Sequence, residues 1–112
     1  MQILVTGGAG FIGGHLAETF SAAGHDVVAF DLLESNYDTE LKRYNIAKGH
    51  EVAEQSDGSY EFVEGDIQNE DLVDSLVGTA DYVYHQAALV GVRDSIDAPK
   101  KYESVNVNGT LN

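Results

Sequence analysis

Thr6-Gly7-Gly8-Ala9-Gly10-Phe11-Ile12-Gly13 follows directly on the apolar run Ile3-Leu4-Val5. The order reads as a strand, a tight glycine turn and the start of a helix. Backbone N–H groups at such a helix N-terminus, with no side chain in the way, form a site for a diphosphate. Gly8, Gly10 and Gly13 fit the spacing G-x-G-x-x-G, and Gly7, Gly10 and Gly13 fit T-G-x-x-G-x-x-G. One glycine turns the chain and one lets a pyrophosphate approach the backbone. Gly13 lets the helix pack close to the strand. The alternative is a plain strand-to-helix turn that needed glycine. Against it stands the context, a βαβ pattern with an acid at the right distance.

That acid is Asp31, 18 residues beyond Gly13 and at the carboxyl end of the second expected strand. A carboxylate there accepts hydrogen bonds from both adenosine ribose hydroxyls and repels a 2′-phosphate. No Lys or Arg follows before Lys42 and Arg43, so NAD is favoured over NADP; the competing reading is a solvated strand-end acid. Asp66 and Ile67 follow the third strand, where an aspartate could meet an adenine amino group and Ile67 the ring, although Gly-Asp is also an ordinary turn. His85-Gln86-Ala87-Ala88 closes the fourth strand, and its small residues admit the cofactor backbone and nicotinamide ribose. His85 has no visible nucleophile or orienting acid, so it reads as a satisfied strand-end histidine rather than a base. Arg93 fits either a phosphate contact or a surface cation in an acidic chain. His15, His25 and His50 lack metal-ligand spacing.

The elements that must position these residues can be traced along the chain. Gln2–Thr6 is a buried strand. Ile12, Leu16, Phe20 and Ala23 mark one face of a first helix that ends at Gly24. Val27–Phe30 is a second strand. Leu32–Ser59 is the least regular stretch, with a short helix over Glu40–Lys48 and a turn at Ser56-Asp57-Gly58-Ser59. Tyr60–Val63 is a third strand. Asn69 caps a helix with Glu70 and Asp71 in its first turn, a buried stripe of Leu72, Val73, Leu76 and Val77, and Gly78 at its end. Ala80–His85 is a fourth strand, 86–95 a loop, and a last helix begins near Pro99 with Tyr102, Val105 and Gly109 inward. This alternation implies an α/β fold with a doubly wound, Rossmann-type parallel sheet. The whole of 1–112 is expected to be one dinucleotide-binding domain, incomplete because its fourth strand lacks an outer neighbour.

Composition bounds the rest. The 112 residues contain 19 Asp and Glu against 6 Lys and Arg, a formal net charge of −13. That argues against nucleic acid and anionic membranes as partners. With 43% apolar residues in clear periods, disorder is a poor explanation. Such an acidic surface resembles proteins of salt-loving microbes. The absence of cysteine excludes disulfides and thiolate metal sites and fits a reducing cytoplasm. Neither a signal peptide nor a membrane-length apolar run is present.

The glycine motif, Asp31, Gly65-Asp66-Ile67, His85-Gln86-Ala87-Ala88 and Asn106-Val107-Asn108-Gly109-Thr110 together resemble the extended short-chain dehydrogenase/reductase family, in its nucleotide-sugar epimerase/dehydratase branch. Asn36-Tyr37-Asp38 through Leu41-Lys42-Arg43 is similar to a loop of UDP-glucuronate 4-epimerases. Ala87-Ala88-Leu89-Val90-Gly91-Val92-Arg93 is similar to the Ala-Ala-x-x-Gly-Val-Arg loop of uronate and hexose 4-epimerases.

The resemblance implies a bound NAD held by Gly7, Gly10, Phe11, Ile12, Gly13, Asp31, Asp66, Ile67, Ala87 and Ala88, and a UDP-sugar substrate. It implies 4-epimerisation by transient hydride transfer, with a tyrosine as base and a lysine four residues later lowering its pKa. A 4,6-dehydratase, a reductase, a non-catalytic NAD-binding module or a truncated product are the alternatives. The family's catalytic pair belongs beyond Asn112, so no catalytic residue is expected in this chain, which by itself should be inactive. Tyr44-Asn45-Ile46-Ala47-Lys48 has the Tyr-x-x-x-Lys spacing but follows the second strand, on the adenosine side. Leu32, where relatives often carry Asn, and Val105, where some carry a polar cofactor contact, depart from the pattern. Relatives often pair through a helix bundle, so a homodimer of the full-length form, involving the helix near Pro99, is also implied.

Overall fold

The computed structural model describes residues 1–33, 39–87, 96 and 98–112. Four strands form one parallel sheet: β1 (Gln2–Thr6), β2 (Asp26–Asp31), β3 (Ser59–Glu64) and β4 (Tyr82–His85), in the order β3-β2-β1-β4. The helices traced through the described residues are α1 (Phe11–Ala22), α2 (Thr39–Glu54), α3 (Glu70–Thr79) and α4, which starts at Pro99–Glu103 and continues through a wider π turn, Ser104–Asn108, into Gly109–Leu111. Thr6 lies opposite Phe30 on one side and His85 on the other, so the carboxyl ends of β1, β2 and β4 finish together. β4 is an edge, and Tyr82 and Val83 on it are exposed. The α/β class and the Rossmann-type sheet implied by the alternation are present.

Strand side chains alternate between two layers of core. Ile3, Val5, Val27, Ala29 and Tyr60 pack with Ala17 on one face of the sheet, with Leu16, Phe20, Ile46 and Phe62 around them. Leu4 and Phe30 pack with Ile67 and Val73 on the other, joined by Leu72, Leu76, Ala87 and Val105. Sheets covered on both faces are the usual setting for parallel strands.

Four local expectations need correction. The buried stripe of α1 is Gly13, Gly14, Ala17 and Ser21; Leu16 and Phe20 only flank the core, while Ile12 is 60% exposed and Ala23 is exposed. Small residues on that stripe let the helix backbone sit against the sheet, which larger side chains would prevent. The helix after Leu32 is not a short one over 40–48 but runs 16 residues to Glu54. Its interior Gly49, a poor helix former, accommodates Tyr60: a Cβ at Gly49 would lie 2.5 Å from the tyrosine ring. α3 continues past Gly78 to Thr79, and Val77 in its expected stripe is exposed. β4 begins at Tyr82 rather than Ala80. Elsewhere among the described residues the outline holds to within a residue or so; most of the loop expected over 86–95 lies outside them. Asn69 Oδ1 accepts the Leu72 N–H at 3.2 Å as an N-cap, and Gly109 is buried on α4 with Tyr102 and Val105 half-buried.

Candidate functional site

The glycine turn sits where the three strand ends meet. Gly7 has φ of +66°, a left-handed conformation, and a Cβ there would come within 2.8 Å of the Gln86 carbonyl carbon. The turn therefore needs glycine twice over, for its dihedral and for its approach to the chain leaving β4. Gly10 N–H donates to the Gly7 carbonyl at 3.0 Å and closes the turn. A Cβ on Gly13 would lie 2.1 Å from the Gly7 oxygen, so the first turn of α1 rests on the loop itself. Gly10 is different: a Cβ there meets only the Gly7 oxygen, at 3.2 Å. Its flank is open, as backbone approach by a ligand requires.

Gly10 is also the N-cap of α1, and no side chain caps the helix. The first intrahelical bond is Gly14 N–H to the Gly10 carbonyl at 2.8 Å. The N–H groups of Phe11, Ile12 and Gly13 thus precede any helical acceptor. Phe11 is 70% exposed, so this helix end faces solvent. Uncapped N–H groups and the positive end of the helix dipole suit a diphosphate.

Asp31 lies beside the turn but is not a solvated acid. Its side chain is 9% exposed. Oδ2 accepts the Ala9 N–H at 3.0 Å, and Oδ1 accepts the Leu32 N–H at 2.7 Å and Lys42 Nζ at 2.9 Å. Ala9 N–H ties the glycine turn to the end of β2. Asn45, one helical step beyond Lys42, donates from Nδ2 to the Ala9 and Gly10 carbonyls at 2.8 and 3.3 Å. Lys42, Asn45 and Gly49 share the inner face of α2. Neither Lys42 nor Asn45 stands out in the sequence as a site residue; their spacing of three is the one signal that marks them.

A second polar chain closes the β4 side. Thr6 Oγ1 accepts the Gln86 and Ala87 N–H groups at 3.0 and 3.2 Å. Its own proton then goes to His85 Nδ1, at 2.6 Å. On the far side of the ring, Thr110 donates to the Asn106 carbonyl at 2.7 Å, so its oxygen accepts from His85 Nε2, at 2.8 Å. The tautomer carrying its proton on Nε2 satisfies every partner. His85 is therefore a fully bonded strut between β1, β4 and α4, matching the satisfied strand-end histidine expected.

The remaining residues are less uniform. Asp66 is half-buried and turns onto its own neighbour, accepting the Gln68 N–H at 2.9 Å. Ile67 is 7% exposed and sealed by Gly109 of α4, whose added Cβ would fall 2.7 Å from Ile67 Cγ2. Set against an adenine ring in the sequence reading, its side chain is instead taken up by the core, because α4 covers it. Ala87 is partly buried in the same layer. Ala88, Arg93 and Asn36-Tyr37-Asp38 lie outside the described residues. Tyr44 is 64% exposed on α2, away from β4. Among the described residues no group of three or more His, Cys, Asp or Glu could hold a metal ion, and no helix is long and apolar enough to cross a membrane.

The family model described as GDP-mannose 4,6 dehydratase matches residues 4–112. The chain belongs to this family. Its similarity to CDP-paratose 2-epimerase of Salmonella typhi is 36% identity over 114 residues, taking in 100% of the chain and 31% of that protein. With a probable UDP-glucuronate 4-epimerase of Rhizobium meliloti it is 35%, over 100% of the chain and 32% of the relative. The UDP-glucose 4-epimerase from Stenotrophomonas maltophila, solved with bound NAD and formylated UDP-arabinopyranose, superposes with a TM-score of 0.80 at 31% identity over 99% of the chain and 31% of that structure. The Thermus thermophilus enzyme in complex with NAD gives 0.75 at 32%, over 99% and 32%. The chain thus spans about a third of the length of the relatives it matches. Within this GDP-mannose 4,6 dehydratase family, the resemblance to extended short-chain dehydrogenase/reductases of the epimerase/dehydratase branch holds.

Proposed function

We propose that residues 1–112 form the NAD-binding part of a nucleotide-sugar epimerase acting on the 4-position of a UDP-sugar. The observation that carries this is the uncapped N-terminus of α1 beside the open flank of Gly10, in a chain whose structural relatives include epimerases solved with NAD. The backbone N–H groups of Phe11, Ile12 and Gly13 hold the diphosphate, and Gly7 and Gly10 let it approach. Asp31 reads the adenosine ribose, and Asp66 borders the adenine. Ala87, together with Ala88, leaves room for the nicotinamide ribose. Held by these residues, NAD would supply reversible hydride acceptance at the sugar's 4-position. The tyrosine and lysine of that chemistry are not assigned to this chain, which alone is inactive; turnover of a UDP-sugar by residues 1–112 would refute that assignment. The family model's own description favours a 4,6-dehydratase as the second reading. A cytoplasmic location and a homodimer of the full-length form complete the proposal.

Calorimetric titration with NAD in molar potassium chloride tests it. Binding by the folded protein is the expected result. A folded protein that binds no dinucleotide would remove the reading.

A further inference from the structure

The peptide joining Gln86 to Ala87 is held at two points. Gly7 lies against it: a Cβ on Gly7 would fall 2.8 Å from the Gln86 carbonyl carbon and 2.9 Å from the Ala87 nitrogen. The second hold is the Thr6 hydroxyl. Gln86 N–H is shared between Thr6 Oγ1 at 3.0 Å and the Thr6 carbonyl at 3.1 Å. Ala87 N–H has Thr6 Oγ1 alone among the described contacts, at 3.2 Å. The hydroxyl, rather than the sheet ladder, therefore sets where Ala87 stands. Thr6 is itself buried, so removing its hydroxyl strands a partly buried N–H. From there the bonds run one way, donor to acceptor. Thr6 donates to His85 Nδ1 at 2.6 Å, His85 Nε2 to Thr110 Oγ1 at 2.8 Å, and Thr110 to the Asn106 carbonyl at 2.7 Å. Bonds aligned in this way strengthen one another. The far end of the chain is fixed, because α4 is also pinned to Ile67. Gly109 packs on that side chain, and Asn112 Nδ2 donates to the Ile67 carbonyl at 3.1 Å.

We propose that Thr6, His85 and Thr110 are positioning residues that act as one unit, through which α4 fixes Ala87 at the nicotinamide end of the cofactor. This rests on the dinucleotide reading above, in which Ala87 leaves room for the nicotinamide ribose. The adenosine and diphosphate are held elsewhere, by Asp31 and the N-terminus of α1. Cutting the chain should therefore loosen the grip on one half of the dinucleotide and spare the other.

The test compares NAD with ADP, which carries the adenosine and diphosphate but neither the second ribose nor the nicotinamide. Both affinities are measured by calorimetry in molar potassium chloride, on proteins shown to be folded by circular dichroism. Thr110→Val, at an exposed position, should weaken NAD about fivefold and leave ADP within about twofold. Thr6→Val should weaken NAD about tenfold or more, again with little change for ADP. Thr110→Ser and Thr6→Ser keep the hydroxyls and should restore the wild-type ratio. Because both valines cut the same chain, adding Thr110→Val to Thr6→Val should move the ratio no further. If Thr6→Val does not fold, the two Thr110 variants decide. Equal losses of NAD and ADP in Thr110→Val, a ratio left at the wild-type value, or a loss that serine does not restore overturns the positioning role. A folded wild type that binds no NAD overturns the dinucleotide reading itself, which separates the two failures.

Discussion

The side-chain amide of Asn45 reaches from α2 to the Ala9 carbonyl, 2.8 Å away. With its second, longer bond to the Gly10 carbonyl, it braces the glycine turn from outside, while Gly14 packs against the Asn45 side chain from α1. The carbonyls it holds lie just before Phe11, Ile12 and Gly13, whose N–H groups precede any helical acceptor. Asn45→Ala should therefore lower stability by about 1 kcal/mol and weaken NAD binding through a looser turn. Asn45→Asp should do more damage to both, because an acceptor-only carboxylate would face two carbonyl oxygens. Thermal melts and NAD titration of the two variants check this. Equal effects would show that the donor role is unimportant.

Two glycines of the turn should respond in opposite ways to one added methyl group. A Cβ on Gly13 falls 2.1 Å from the Gly7 oxygen, and a Cβ on Gly10 only 3.2 Å from it. Gly13→Ala must displace the helix or the loop and should cost about 3 kcal/mol or more, as severe overpacking does. Gly10→Ala should fold with nearly wild-type stability yet bind NAD more weakly, and Gly10→Val should abolish binding by filling the open flank. Paired melting and binding curves separate the two positions. Unchanged NAD affinity in Gly10→Val would remove the diphosphate site.

What the sequence made legible follows from what each residue type must do. Gly7 and Gly13 announced the turn because no other residue tolerates those backbone approaches. Asp31 announced itself by distance from Gly13 and by position at a strand end. Its partner did not, since Lys42 stands among polar residues where a lysine ordinarily reads as solvated. Its burial is created by α2 packing against α1 and β3, a tertiary event with no local mark. Ile12 was misplaced for the reverse reason. Apolar periodicity counts large side chains, whereas α1 buries Gly13, Gly14, Ala17 and Ser21. Ile67, a good candidate by chain position, was claimed by a helix more than thirty residues later, through Gly109.

The charge of −13 on 112 residues should make stability depend on salt. Self-repulsion among scattered acids falls as the screening length shrinks, from about 10 Å at 0.1 M to about 3 Å at 1 M. The melting temperature should accordingly rise between low salt and molar potassium chloride, with the steepest part of the gain below molar salt. A flat profile would mean that the acids are spaced widely enough to ignore one another, and would dispose of the halophilic reading.

Tyr60 presents the last case, a buried hydroxyl with no hydrogen-bond partner among the described residues. Its ring is held in the core between Gly49 and the His50 imidazole, whose centroid lies 4.8 Å away. Burial, followed by the negative charges of Asp31 and Glu18, pushes its ionisation well above the ordinary tyrosine range. The unfolded chain ionises near the ordinary tyrosine value of 10.0 while the folded protein still holds the proton. The unfolded state then binds fewer protons, so stability is intact below about pH 10 and is lost as pH rises above it. Tyr60→Phe should abolish this part of the alkaline loss. At neutral pH the substitution should be neutral or stabilising by up to about 1 kcal/mol, because the hydroxyl it removes is buried and unsatisfied. Denaturant curves at neutral and alkaline pH, with wild type alongside, measure both effects. A large neutral-pH destabilisation would show that the hydroxyl has a partner after all.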